Sequence, residues 1–310
     1  MHHYASVVSH TMPDCVGAYA RTWHQTIPRL SFESEMVLNP LLALSALHLH
    51  SHGCQETQIA LALRRYLDQA LIHHRQALSR KEKISEHLWL SAVLLSHIHW
   101  LLSNHTTEDQ EYALPIEALK MLQGTSALFD REKALLQSLG YGWIGNESPP
   151  QLLPAEDLHA YDQEQLGQVD KELEGLLDSC KISCMLEQDR AAYCKAKEYV
   201  LSCYRGYHSG ASAKSLRSSL GFMPIRCGRA YMEKLEAQDP LAMALYARTL
   251  VLLRCIDHAW WLNGTGEYEV VERNVRGMQS LITEEWRSVM DWPCQLLNSQ
   301  ILLKRTTESL

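Results

Sequence analysis

The sequence has no surplus of basic charge. Its 29 Lys and Arg stand against 36 Asp and Glu, for a formal net charge of -7 over 310 residues. Neutralising a phosphate backbone requires a basic face, so direct DNA binding by this chain is not expected. The short clusters Arg64-Arg65, Arg80-Lys81 and Lys304-Arg305 read as solvated helix faces. No apolar run reaches membrane-spanning length either. The best candidate, LAMALYARTLVLL, is interrupted by Arg248 and ended by Arg254. It reads as a buried helix, and no membrane partner is expected. The opening residues MHHYASVVSHTMPDC lack the basic start and the apolar stretch of a signal peptide. The sequons at Asn104, Asn146 and Asn263 are therefore expected to stay unmodified. The expected location is the nucleus and/or the cytoplasm.

Catalytic signatures are missing as well. There is no G-x-S-x-G elbow, no phosphate-binding G-x-x-x-x-G-K-[ST], no H-E-x-x-H and no dinucleotide fingerprint. No catalytic residue is singled out, and no cofactor is expected. The nine cysteines contain no C-x-x-C pair and are odd in number, so they read as reduced thiols, mostly small core residues. Sixteen histidines are present. Of the groups His48/His50/His52, His73-His74 and His97/His99, only His48 and His52 have the i,i+4 spacing a helix needs to present two metal ligands. No carboxylate or cysteine lies nearby in sequence to complete a site, so these histidines read as structural and no metal is expected.

What is present is helical periodicity. Hydrophobic residues make up 46% of the chain, enough for a sizeable core. The spacing predicts helices over 14–28, stopped near Pro28, and over 39–53, with Asn39 as N-cap, Pro40 in the first turn and Gly53 as the stop. Further helices are predicted over 58–80, with Leu63, Leu67, Ala70, Leu71 and Leu78 on one face, and over 86–103. YALPIEALKMLQGTSALF forms another, changing direction at Gly124. A long surface loop is expected at about 140–162, where Gly145, Pro149, Pro150 and Pro154 cluster. Helices resume at 163, break at about 205–212, and occupy 211–220, 225–236, 240–262 and 267–290, the last closed by DWP. Period-two alternation is almost absent. The expected fold is all-α: a single multi-helix domain over 1–310, of about ten helices, with a central hydrophobic pocket.

HAWWLNG, His258 to Gly264, ends the most apolar helix. Trp260 and Trp261 would point about a quarter-turn apart on a helix. They read as a wall for an apolar cavity or as a close-packed helix end. The cavity is expected beside Leu44, Leu47, Leu245, Leu252, Trp260 and Trp261, with a lipophilic small molecule as its occupant.

The order of segments resembles the regulatory domain of fungal zinc-cluster transcription factors of the sterol uptake control type. WHQTIPRLSFESEMVLNPLLALSALHLHS resembles the start of that domain, and RRYLDQALIHHRQAL its next helix, with Tyr66, Ala70 and His74 in the matching pattern. MLQGTSALF resembles a Gly-Thr-centred helix. YARTLVLLRCIDHAWWLNG with SLITEEWRSVMDWP resembles the terminal signature. These matches span about residues 19–293. The resemblance implies an all-α effector domain, often dimeric, with a deep hydrophobic pocket that takes a sterol. It also implies a homodimer or a partner transcription factor. The family's DNA-binding module, six cysteines in C-x2-C-x6-C spacing with a basic stretch, is absent from this sequence. After Trp261 the sequence departs again, reading GTGEYEVVERNVRGM with Glu267, Glu269, Glu272 and Arg273 where the family has apolar residues. A function in transcription control of sterol or secondary-metabolite genes follows from the resemblance. The alternative is a pathway enzyme or carrier reusing the same pocket for a terpenoid or polyketide.

Overall fold

Amphipathic and wholly apolar helices account for nearly every described segment. The computed structural model describes residues 1–12, 20–54, 56–80, 86–104, 111–141, 158–221, 223–255, 260 and 269–298. Among the described residues there are fifteen α-helical segments and no strand, so the all-α class holds. The chain divides into two compact units. One comprises Met1–Thr107, Glu117–Glu147 and Ala259–Glu267; the other comprises Glu108–Ile116, Ser148–His258 and Tyr268–Leu310.

The first unit contains α1 (His2–Ser6), α2 (Ile27–Glu33), α3 (Glu35–Ser51), α4 (Thr57–Ser79), α5 (Glu86–Asn104), α6 (Ile116–Arg131) and α7 (Lys133–Ser138). Helix α3 packs against α2, α4 and α5. It is apolar on nearly all sides, and Leu41, Ala43 and Leu44 are wholly buried, as a central helix requires. Helix α5 is likewise central, with Trp89, Leu94 and Ile98 buried. Helix α4 is amphipathic. It buries Leu63, Ala70 and His74, whereas Leu78, expected on the buried face, is 46% exposed near the helix end.

Three expected boundaries move. Helix α3 starts a turn earlier than predicted, because Ser34 is extended (φ -149, ψ 121) and Glu35 brings an acid to the positive end of the helix. Asn39 is therefore no N-cap; its Nδ2 donates to the Glu35 carbonyl at 3.0 Å, and Pro40 lies inside the helix. Pro28 does not stop its helix. It follows a π turn over Thr22–Thr26 and sits in the first turn of α2, where a missing N–H costs no bond within that segment. Gly124 is accommodated within α6 without ending it. Gly53 does end α3, at φ +89, a left-handed conformation that favours glycine.

The second unit contains α8 (Ala160–Ser179), α9 (Glu187–His208), α10 (Ala213–Gly221), α11 (Met223–Cys227), α12 (Arg229–Glu236), α13 (Pro240–Val251), α14 (Glu269–Leu281) and α15 (Asp291–Asn298). Helix α13 is its centre, packed against α9, α14 and α15. Asp239 caps it, accepting from the Ala242 N–H at 2.9 Å, and Pro240 fills the first turn. Every residue from Leu241 to Val251 is buried. Two tyrosines fix its backbone: Tyr231 donates to the Ala242 carbonyl at 2.8 Å and Tyr204 to the Arg248 carbonyl at 2.9 Å. Helix α9 runs on to His208, past the start of the predicted break, and the turn follows with Gly210 at φ +78. The predicted helix over 225–236 is divided by Gly228 at φ +97. The α-helical part of the predicted 240–262 helix ends at Val251 and tightens to a 3-10 turn over Leu252–Cys255. DWP opens α15 rather than closing α14, because Pro293 lies in a first turn, where proline fits. Most of the predicted 140–162 loop lies outside the described residues.

Helix α14 makes one contact that only glycine permits. A Cβ on Gly277 would fall on the ring carbons of Tyr112. That ring is held in place, since Tyr112 donates to Asn274 Oδ1 at 2.9 Å. Gly277→Ala gains about 1 kcal/mol of helix propensity but forces a ring out of a packed site at about 1–3 kcal/mol. The expected outcome is net destabilisation of up to about 2 kcal/mol in urea titration, relieved in the Tyr112→Ala background.

Candidate functional site

Trp260 is held by histidines. Its ring lies 4.6 Å from the His48 ring and 6.3 Å from His52, centroid to centroid, and the residue is 4% exposed. The i,i+4 spacing on α3 brings His48 and His52 together as a stacked pair, 4.1 Å apart and 13° from parallel. His52 Nδ1 donates to the His48 carbonyl at 2.8 Å. His3, from α1, shares a hydrogen bond of 3.2 Å with His48 Nδ1. Burial, with His52 and His3 alongside, pushes the His48 pKa down to about 4. Burial also lowers that of His3. Three imidazoles and an indole thus form one aromatic cluster, neutral at pH 7 in its buried member.

The sequence-predicted wall residues divide between the units. Leu44 and Leu47, on α3, lie in the core of the first, as does Trp260. Leu245, on α13, and Leu252, in the 3-10 turn, are buried in the second. Trp261 lies outside the described residues. Trp260 is joined to α3 through His48 and His52, a contact with residues that were read as structural rather than as its partners.

The second unit holds two polar features that sequence reasoning missed. Asp162, in the first turn of α8, and His208, in the last turn of α9, form a buried pair with Nδ1 to Oδ1 at 2.7 Å. Each sits where the local helix dipole suits it: an acid at an N-terminus, a base at a C-terminus. The second feature is a cleft of about 540 Å³ lined by residues of α8 and α15, by Arg248 of α13, and by Ser288 and Val289. None of the five described wall residues lines it. Arg248 is 2% exposed. Its Nη1 donates to the carbonyls of Ala244 at 3.0 Å and Val289 at 2.9 Å, and its guanidinium lies 5.2 Å from the Trp292 ring centroid. The signal for Arg248 was its position in an otherwise apolar run, which the sequence reading used only to rule out a membrane span.

Among the described residues no group of three or more His, Cys, Asp or Glu is arranged to hold a metal ion. The described cysteines are free thiols, and only Cys180, Cys203 and Cys227 of the eight are buried. The expectation that they are mostly core residues is thereby corrected; Cys184 and Cys194 face solvent from polar helix surfaces. Burial raises the thiols of Cys203 and Cys227 to about 12, which leaves them inert as nucleophiles. No described helix is long and apolar enough to cross a membrane.

Comparison with known proteins adds a family likeness. Residues 1–138 match the family described as fungal specific transcription factor domain, a span that closes at the last residue of α7. The chain is 22% identical over 318 aligned positions to a Zn(2)-C6 fungal-type transcription factor of Gibberella zeae, covering 96% of this chain and 60% of that relative. The chain spans about 60% of the length of the curated relative it matches. No solved structure matches it.

Proposed function

We propose that this chain is the effector part of a fungal-type transcription regulator, acting in the nucleus on sterol or secondary-metabolite genes. The observation that carries the reading is the alignment to the Zn(2)-C6 relative along 96% of the chain, through both units. The family match over residues 1–138 and the all-helical fold support it. In this reading DNA contact comes from a zinc-cluster module, in a longer form of the protein or in a partner factor, and the chain pairs with a second copy or with that partner. The net charge of -7 fits a part that leaves phosphate contact to another module. A lipophilic small molecule is the effector.

The test is tethering. The chain is fused to a heterologous DNA-binding module in a fungal host carrying the matching reporter. Reporter output should change relative to the module alone, and should respond to sterols, terpenoids or fatty acids added to the medium. Unchanged output with and without every lipophile, from a fusion shown to be expressed and nuclear, defeats the reading. The purified chain supplies a second measurement. A lipophile at a hundred times its dissociation constant should add about 2.7 kcal/mol of stability, visible as a rise in melting temperature.

A further inference from the structure

The cleft of the second unit is built around a buried charge that makes no direct ion pair among the described residues. Arg248 reaches its floor, among Leu176, Val289 and Trp292. The residue is 98% buried, yet both hydrogen bonds it makes go to neutral carbonyls, Ala244 and Val289. Its Nε–H has no hydrogen-bond partner. Among the described residues no carboxylate stands in ion-pair contact with it. Glu172 and Asp291 line the same cleft, and the Glu172 charge acts on Arg248 without a direct ion pair. Burial accordingly lowers the Arg248 pKa to about 10, which leaves it cationic at neutral pH.

A buried cation satisfied only by dipoles is costly. A purely structural arginine explains the two carbonyl bonds, which tie α13 to the 3-10 turn over Glu284–Met290. It does not explain why a guanidinium bonded only to neutral carbonyls lines a cleft. An anion entering the cleft supplies a charged partner. We infer that this cleft binds a small organic carboxylate, its oxygens on the Arg248 guanidinium and its flat apolar body along Trp292. Glu172 and Asp291 also line the cleft and offset the charge of Lys171, which favours a monoanion over a dianion such as phosphate. The cleft volume of about 540 Å³ suits a molecule of one or two rings. The site lies wholly within the second unit, and the inference does not rest on the transcription reading.

Gly175 supplies a clean blocking variant. It lines the cleft from α8, and a Cβ there meets no heavy atom within 4 Å. Gly175→Leu therefore has room for its Cβ, projects bulk into the cleft while leaving the Arg248 side chain itself unaltered, and improves helix propensity. The experiment titrates the full chain with acetate, benzoate and indole-3-acetate, with benzamide as the uncharged control and inorganic phosphate as the dianion. Melting temperature and isothermal calorimetry are the readouts. Benzoate or indole-3-acetate should bind saturably, and benzamide and phosphate about tenfold more weakly or not at all, as the loss of a charge-assisted hydrogen bond requires. Gly175→Leu should remove binding while its melting temperature stays level or rises. Arg248→Met should also remove binding, but it loses the carbonyl bonds too, so Gly175→Leu decides the matter if Arg248→Met fails to fold. The inference is overturned by any of three results: no saturable binding of the three carboxylates, equal binding of benzamide, or unchanged binding in Gly175→Leu.

Discussion

Replacing either member of the Asp162–His208 pair should cost about 3–5 kcal/mol, the usual penalty for removing one partner of a buried carboxylate–base pair. In a unit of this size that lowers the melting temperature by roughly 10 °C. Asp162 and His208 side chains are 5% and 1% exposed, so water cannot replace the lost partner. The hydrogen bond of 2.7 Å also joins the start of α8 to the end of α9, which fixes how these antiparallel helices register. Farther along the same interface, Lys197 of α9 bonds Asp170 at 2.9 Å and Glu174 at 2.7 Å on α8. Those carboxylates are substantially exposed, so that network contributes much less. Asp162→Leu and His208→Leu should each show the full loss, and the double variant should lose less than the sum of the two. A double-mutant cycle by urea titration measures the coupling. Additive losses would mean that the pair contributes only packing.

The contrast between these helices and the site residues shows what local pattern carries. The Asp239-Pro240 start of α13 follows from side-chain and ring chemistry within four residues, and the wholly apolar stretch after it requires a central helix. The end of α3 at Gly53 is similarly local, because a left-handed residue is needed there. The start of α3 was misplaced because Asn39-Pro40 carries the same local signal as a true cap, while the actual start at Ser34 has no side-chain cap at all. Contacts between distant segments leave no such mark. His48 and His52 were visible as an i,i+4 pair and Trp260 as a conspicuous aromatic, but that one packs on the others depends on how the chain returns to the first unit. Arg248 was visible only as an interruption. Its meaning comes from the Val289 carbonyl and the Trp292 ring, both supplied by a later segment. The Asp162–His208 pair was hidden for the same reason, since neither residue stands out until α8 and α9 lie side by side.

Acidification should weaken the first unit through His48, the buried member of the cluster that holds Trp260. In the unfolded chain His48 titrates near 6.5. In the fold its pKa is pushed down to about 4 by burial first, and then by His52 and His3. Between those values the unfolded chain holds a proton that the folded chain does not. Stability is therefore complete above about pH 6.5 and falls as the pH drops toward 4. The loss between pH 7.5 and pH 5 is about 2 kcal/mol, and about 3 kcal/mol over the full window. His3, whose pKa is lowered as well, adds to it in the same direction. Its neighbours at the ring are His3, His52 and the indole of Trp260; no carboxylate among the described residues pairs with His48 to reverse the sign. Urea titrations at pH 7.5 and pH 5 measure the slope in the wild type and in His48→Leu. The variant should lose about 2 kcal/mol of the pH dependence while remaining folded at both values, because leucine fills a buried site beside Trp260 without a proton to gain; the remainder comes from His3, His74, His97 and His99, whose pKa values burial also lowers. If the wild type and His48→Leu lose stability equally on acidification, the cluster is packed but electrostatically silent.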